Sequence, residues 1–217
     1  PVLFLSFYSP KVEPVGVKKY KGRSYFELIS QPMFLQAVAS AAFAYAVMSF
    51  LMTATPINMH VIENYSLNKT GIVIQLHIVS MFLPSLITGN LLKKFGHSKI
   101  IYAGVFFYIL TILLSFIQPS FFNYLFSLIF LGIGWNFLYL SGTGLLVLSY
   151  REEEKFKAQG FNDILVFSIQ ALASLSAGYM LSMTSWKTMN LIAIPFLFII
   201  IFSSIRADLS KKNKLKS

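Results

Sequence analysis

The chain has 217 residues, of which 56% are apolar and only 12% charged, with 22 phenylalanines, no cysteine and a formal net charge of +10. Soluble domains carry about 25% charged residues, so this chain has too little polar surface to cover a core in water, and much of it must face lipid. Without cysteine there is no disulfide framework and no thiolate metal site. The basic residues fall in the gaps between apolar runs, which points to membrane topology and not to nucleic acid.

The opening PVLFLSFY is apolar, too short to span a bilayer, and lacks the basic flank and cleavage site of a signal peptide. Residues 1–9 therefore read as the end of a preceding membrane helix, in the C-terminal part of a longer protein. Residues 10–31 hold two prolines, two glycines and five Lys/Arg, the composition of a loop, with a short interfacial helix expected near Tyr25–Ile29.

Six apolar segments follow, at about 32–56, 71–92, 100–118, 121–148, 156–181 and 188–205, each close to the roughly 20 residues a span needs. Backbone groups in hydrocarbon must bond within their own segment, which predicts an all-α, six-helix bundle over 32–206. Residues 207–217 form a basic tail. TATP (Thr53–Pro56) either stops the first span or breaks it. Gln36 is placed at the interface. SGTG (Ser141–Gly144) and ALASLSAG (Ala171–Gly178) are small-residue stripes suited to close helix packing.

Counted along the chain, the gaps carry five, one, three, zero, three, one and five Lys/Arg, so alternate gaps hold sixteen against two. By the positive-inside rule, loop 10–31, the stretch 93–99, the loop 151–157 and the tail are cytoplasmic. The expected location is a bacterial inner membrane, with multiple passes and a cytoplasmic C-terminus.

The loop between the second and third spans reads GNLLKKFGHSK, with Gly89, Leu91, Lys93, Lys94, Gly96 and Lys99 at fixed offsets. It resembles the loop motif G-x-L-x-D-R-x-G-R-K/R of the major facilitator superfamily, with Lys93 in the acidic position. MTATPINMH (52–60), QLHIVSMFLPSLITG (75–89), GIGWNFLYLSGTGLL (132–146) and QGFNDILVF (159–167) resemble one bacterial subgroup of it. The resemblance covers nearly the whole chain. It implies one six-helix half, here the C-terminal one, of a 12-helix transporter, with loop 10–31 as the central loop and an N-terminal half outside this sequence. The implied activity is secondary active transport of a small organic solute by alternating access, with export and proton coupling as the preferred form. The competing class is a non-transporting membrane protein: a scaffold, sensor or intramembrane enzyme.

Gly89 and Gly96 are expected to let two helix ends approach and turn. In the family, the acidic loop residue faces the N-terminus of the span that is fifth here. Because that end carries Glu152, Glu153 and Glu154, a latch with inverted charges is expected between Lys93 or Lys94 and this cluster; the alternative is two solvated loops that never pair.

Candidate transport residues are the polar ones inside spans. Asp163, about eight residues or roughly 12 Å into the fifth span, is either a proton-coupling or cation-contacting group, or a carboxylate tied to a lysine or to Asn162. His77 is either a proton carrier or a neutral histidine bonded to backbone or hydroxyl. Gln75, two residues away, points to another face. Asn136 and Trp135 are either solute contacts or, respectively, interhelical glue and lipid packing. No metal site, cofactor or enzyme constellation is expected: SGTG lacks the G-x-S of a serine nucleophile, His60 and His97 lack partners at ligand spacing, and there is no G-x-x-x-x-G-K phosphate loop.

Overall fold

A computed structural model describes residues 22–214. The expected membrane-helix end at 1–9, most of loop 10–31 and the end of the tail lie outside the described residues. Every secondary-structure element within them is helical. The order is α1 (Tyr25–Ile29), α2 (Pro32–Pro56), a π-helical turn (Ile57–Ile62), α3 (Leu67–Phe82), α4 (Ser85–Phe95), α5 (His97–Leu114), α6 (Phe121–Ser149), a 3₁₀ turn (Glu152–Glu154), α7 (Lys155–Met183), α8 (Trp186–Ile192) and α9 (Ile194–Lys214). These make six segments long and apolar enough to cross a membrane.

Serines start several helices by accepting an orphan backbone N–H: Ser66 from Lys69, Ser120 from Asn123, Ser185 from Thr188. Pro32 opens α2, where its missing N–H costs nothing. The sequence places the second and sixth spans as continuous helices, but each is broken. The second breaks at Leu83–Pro84, and the sixth at Ala193, just before Pro195. The first span does not stop at TATP: the helix runs through Pro56 into the π-helical turn, and the second span starts at Leu67.

α2 is the centre of the bundle. It packs along α6 and α7 and, over a shorter stretch, against α9; α6 in turn packs against α5 and α3. Glycines allow these approaches. A Cβ on Gly104 or on Gly134 would lie 3.0 Å from the other's carbonyl oxygen, and one on Gly142 would lie 2.7 Å from the Ala37 oxygen. The outer face of α7 is bare, with Phe156 87% and Leu175 82% exposed. So much apolar surface suits lipid or another helix bundle, not water.

Candidate functional site

Four elements of the bundle converge on an aromatic wall. Trp135 and Tyr139, one turn apart on α6, stack at 5.1 Å between centroids and 12° between planes. Tyr45 of α2 meets both edge-on, at 5.1 Å from Trp135 and 4.9 Å from Tyr139. Phe82 of α3 meets Trp135 edge-on at 5.9 Å, and Phe167 of α7 lies 6.3 Å from Tyr45. Trp135 is buried at the floor, Tyr45 and Tyr139 are half-buried, and Phe82 and Phe167 form an exposed rim. The Trp135 indole Nε1–H is buried without an acceptor among the described residues. Edge-to-face and stacked rings of this kind present both faces and edges to an incoming planar group.

Asp163 sits one turn before Phe167 on α7 and is exposed beside this rim. Asn162 is buried and donates from Nδ2 to Asp163 Oδ1 at 3.1 Å. Asp163 thus keeps one local partner and an open side.

The other polar candidates point elsewhere. Asn136 faces the break in the second span: its Nδ2 donates to the Met81 carbonyl and to Ser85 Oγ, both at 2.7 Å, and its Oδ1 accepts from Thr88 Oγ1 at 2.7 Å. His77 is fully buried between α3 and α6, with Nδ1–H donating to the Leu128 carbonyl at 2.7 Å; a carbonyl only accepts, so Nδ1 carries the proton. Gln75 is exposed on a different face of α3. Of the candidates read from sequence, Trp135 lies in the wall, and Asp163 stands beside its rim bonded to its neighbour Asn162. His77, Gln75 and Asn136 do not join them.

Sequence reasoning missed Tyr45, Phe82, Tyr139 and Phe167. The i, i+4 spacing of Trp135 with Tyr139 and of Asp163 with Phe167 was a visible signal that each pair shares a face. Nothing in one dimension shows that the two faces meet.

The end of the bundle that carries the basic loops departs from expectation. Lys93 and Lys94 are exposed, and the Lys94 ammonium lies 5.1 Å from the centroid of the neighbouring Phe95 ring. Among the described residues, neither pairs with the glutamates. Glu152 takes Lys155 at 3.8 Å, Glu153 is exposed, and Glu154 is held by Arg23. Arg23 Nε donates to Oε1 at 2.8 Å, Nη2 to Oε2 at 2.6 Å, and the Arg23 and Arg151 backbone N–H groups complete the set at 2.7 and 3.0 Å. The expected latch is not formed in this geometry: Glu152 and Glu153 stand exposed without Lys93 or Lys94 as a partner among the described residues, and Glu154 is saturated by Arg23. The same pairing, chiefly its side-chain hydrogen bond, raises the Arg23 pKa above its ordinary value. Next to it, the Ser24 backbone N–H and hydroxyl hold the Glu27 carboxyl below the usual carboxylate range.

The loop glycines also divide. Gly96 adopts φ +83° and turns the chain between α4 and α5. Gly89 lies inside α4, and a Cβ there would meet nothing within 4 Å, so it serves no close approach. The loop is tied down instead by the residues after Gly96. His97 Nδ1 bonds the Ser141 carbonyl at 3.2 Å. Ser98 accepts from Gln36 Nε2 at 3.0 Å and donates to Asp208 Oδ1 at 2.7 Å, and Tyr102 donates to Asp208 Oδ2 at 3.0 Å. Gln36 is therefore buried and bonded, not idle at an interface, and Asp208, which lies in α9 because that helix continues into the expected tail, is the acid that holds the start of α5.

The family model described as Major Facilitator Superfamily matches residues 37–216. The chain belongs to the major facilitator superfamily. Its six helices are a membrane transporter half of that superfamily. It is 35% identical over 203 residues to the riboflavin transporter RfnT of Brucella anthropi, covering 93% of this chain and 50% of the relative. It is also 33% identical over 151 residues to YddS, an uncharacterized MFS-type transporter of Bacillus subtilis, covering 68% of this chain and 34% of that one. Similarity to a second such protein of that bacterium, YdeG, is 33% over 148 residues, covering 67% and 34%. The chain thus spans about half the length of the first of these relatives and a third of the other two. No solved structure matches it.

Proposed function

We propose that this facilitator half forms one wall of a transport path for a planar aromatic solute of the flavin class, moved by alternating access against an N-terminal six-helix half. The observation that carries this reading is the convergence of Tyr45, Phe82, Trp135, Tyr139 and Phe167 from four elements on one open-rimmed surface. A fused heterocycle stacks on such rings at modest desolvation cost. The name of RfnT gives the solute class its second support. The exposure of Asp163 beside the rim supports assigning it the coupling of solute movement to protons. His77, fully buried between α3 and α6 and away from the wall, is not assigned that role. The charge pattern supports a cytoplasmic position for the basic loops and a bacterial inner membrane for the whole.

The test is flux of labelled riboflavin in right-side-out and everted membrane vesicles that carry the full-length protein, with and without a proton gradient. Saturable flux above empty vesicles, competed by other flavins and not by sugars, is the expected result, and the vesicle orientation reads the direction. Saturable flux of sugars or amino acids with none of riboflavin overturns the solute class. Absence of flux for every class tried favours a non-transporting role.

A further inference from the structure

The second span is interrupted near its middle, and one amide bridges the interruption. α3 ends at Phe82, α4 begins at Ser85, and Pro84 between them has no N–H to return to the preceding turn. Asn136 donates to the Met81 carbonyl before the break and to Ser85 Oγ after it, and accepts from Thr88 one turn further on. Thr88 shares its hydroxyl proton with the Pro84 carbonyl, 2.8 Å away. Asn136 and Thr88 are both buried. α4 has little other hold on the bundle: Thr88 is its one fully buried residue, and Leu86 and Ile87 lie open.

Each end of this bridge is next in sequence to a ring of the aromatic wall. Trp135 precedes Asn136, and Phe82 follows Met81; the two rings meet edge-on. Successive residues on a helix point about 100° apart, so one residue of each pair serves the wall while its neighbour serves the break.

We infer that Asn136 is a positioning residue: it sets the angle between α3 and α4 and links that angle to Trp135 and Phe82, so that a ring seated on the wall biases the hinge. The link to a solute rests on the proposed transport function; the hinge itself does not.

Spin labels test it in the full-length protein. The 217 residues contain no cysteine, so, with any cysteine elsewhere in the full-length protein replaced by serine, Ile72→Cys on α3 and Asn90→Cys on α4, both exposed, can be labelled as a pair, at a backbone separation of about 27 Å. Asn136→Ala and Thr88→Val are each expected to broaden the distance distribution about twofold, as a hinge loses its stop. Pro84→Ala restores a straight helix, lengthens the distance, and makes Asn136→Ala silent in that background. Riboflavin narrows the parent distribution and not that of Asn136→Ala. Unchanged width in both Asn136→Ala and Thr88→Val overturns the hinge. If Asn136→Ala does not fold, Thr88→Val, which keeps the volume, decides alone. Broadening without any effect of riboflavin keeps the hinge and removes the flavin reading; saturable riboflavin flux with no broadening does the reverse.

Discussion

Arg23 and Glu154, 131 residues apart in the chain, form a bidentate ion pair in which the glutamate side chain is 0% exposed. The pair fastens the segment before the first span to the turn between the fourth and fifth. Lys157 reinforces it, donating to the Arg23 carbonyl at 2.6 Å while lying over the Tyr25 ring. Removing one partner of a buried pair leaves the other uncompensated, at a cost of about 3–5 kcal/mol. The exposed edge of Arg23 puts the expected loss at the low end. Arg23→Ala should lower the midpoint of thermal unfolding of the full-length protein in detergent. Arg23→Lys should rescue little, because an ammonium cannot reproduce the fork that meets both oxygens. Equal midpoints for Arg23→Ala and its parent would remove the pair from the account. Lys93→Glu, on an exposed lysine with no ion pair among the described residues, should leave the midpoint and the transport kinetics unchanged.

The two loop glycines should respond oppositely to alanine. Gly96 combines φ +83° with ψ 159°, a region close to glycine-only, so Gly96→Ala should cost about 1–3 kcal/mol. Gly89 is a helix-interior glycine with free space around it, so Gly89→Ala should stabilise by about 0.5–1 kcal/mol. Unfolding midpoints of the two variants measured side by side decide this.

At the aromatic wall, Trp135→Leu and Tyr139→Leu remove a stacked ring while keeping the position apolar. A solute that stacks there loses about 0.5–1.5 kcal/mol per ring, a rise of roughly 2- to 12-fold in half-saturation for riboflavin flux. Phe126→Leu, on an exposed residue outside the wall, should leave half-saturation unchanged. Equal shifts in all three variants would point to general damage instead of solute contact.

Asp163→Asn keeps the shape and removes the charge. If Asp163 takes up and releases the coupled proton, net flux driven by a proton gradient should fall to the level seen without one, while exchange of solute for solute continues. An undiminished response to the gradient would take Asp163 out of the coupling role.

Span number, helical class and charge alternation were open to reading from sequence because they are local, one-dimensional properties: the length of an apolar run, the need to bond backbone groups within it, and the Lys/Arg in each gap. The facilitator loop motif likewise lies within eleven residues, from Gly89 to Lys99. Partner choice is not local. Glu154 sits 61 residues from Lys93 and 131 from Arg23, and the folded bundle gives it to Arg23 because the segment before α2 passes directly over the start of the fifth span. Asn136 read on its own helix either as a solute contact or as interhelical glue; the break at Pro84 on a neighbouring helix makes it a bridge. Trp135 became part of a wall when α2, α3 and α7 brought Tyr45, Phe82 and Phe167 to it. In a bundle of uniformly apolar helices, hydrophobicity has no face to choose, so the rotation of each helix, and with it every polar partnership, is set by close packing and by which few polar groups find one another.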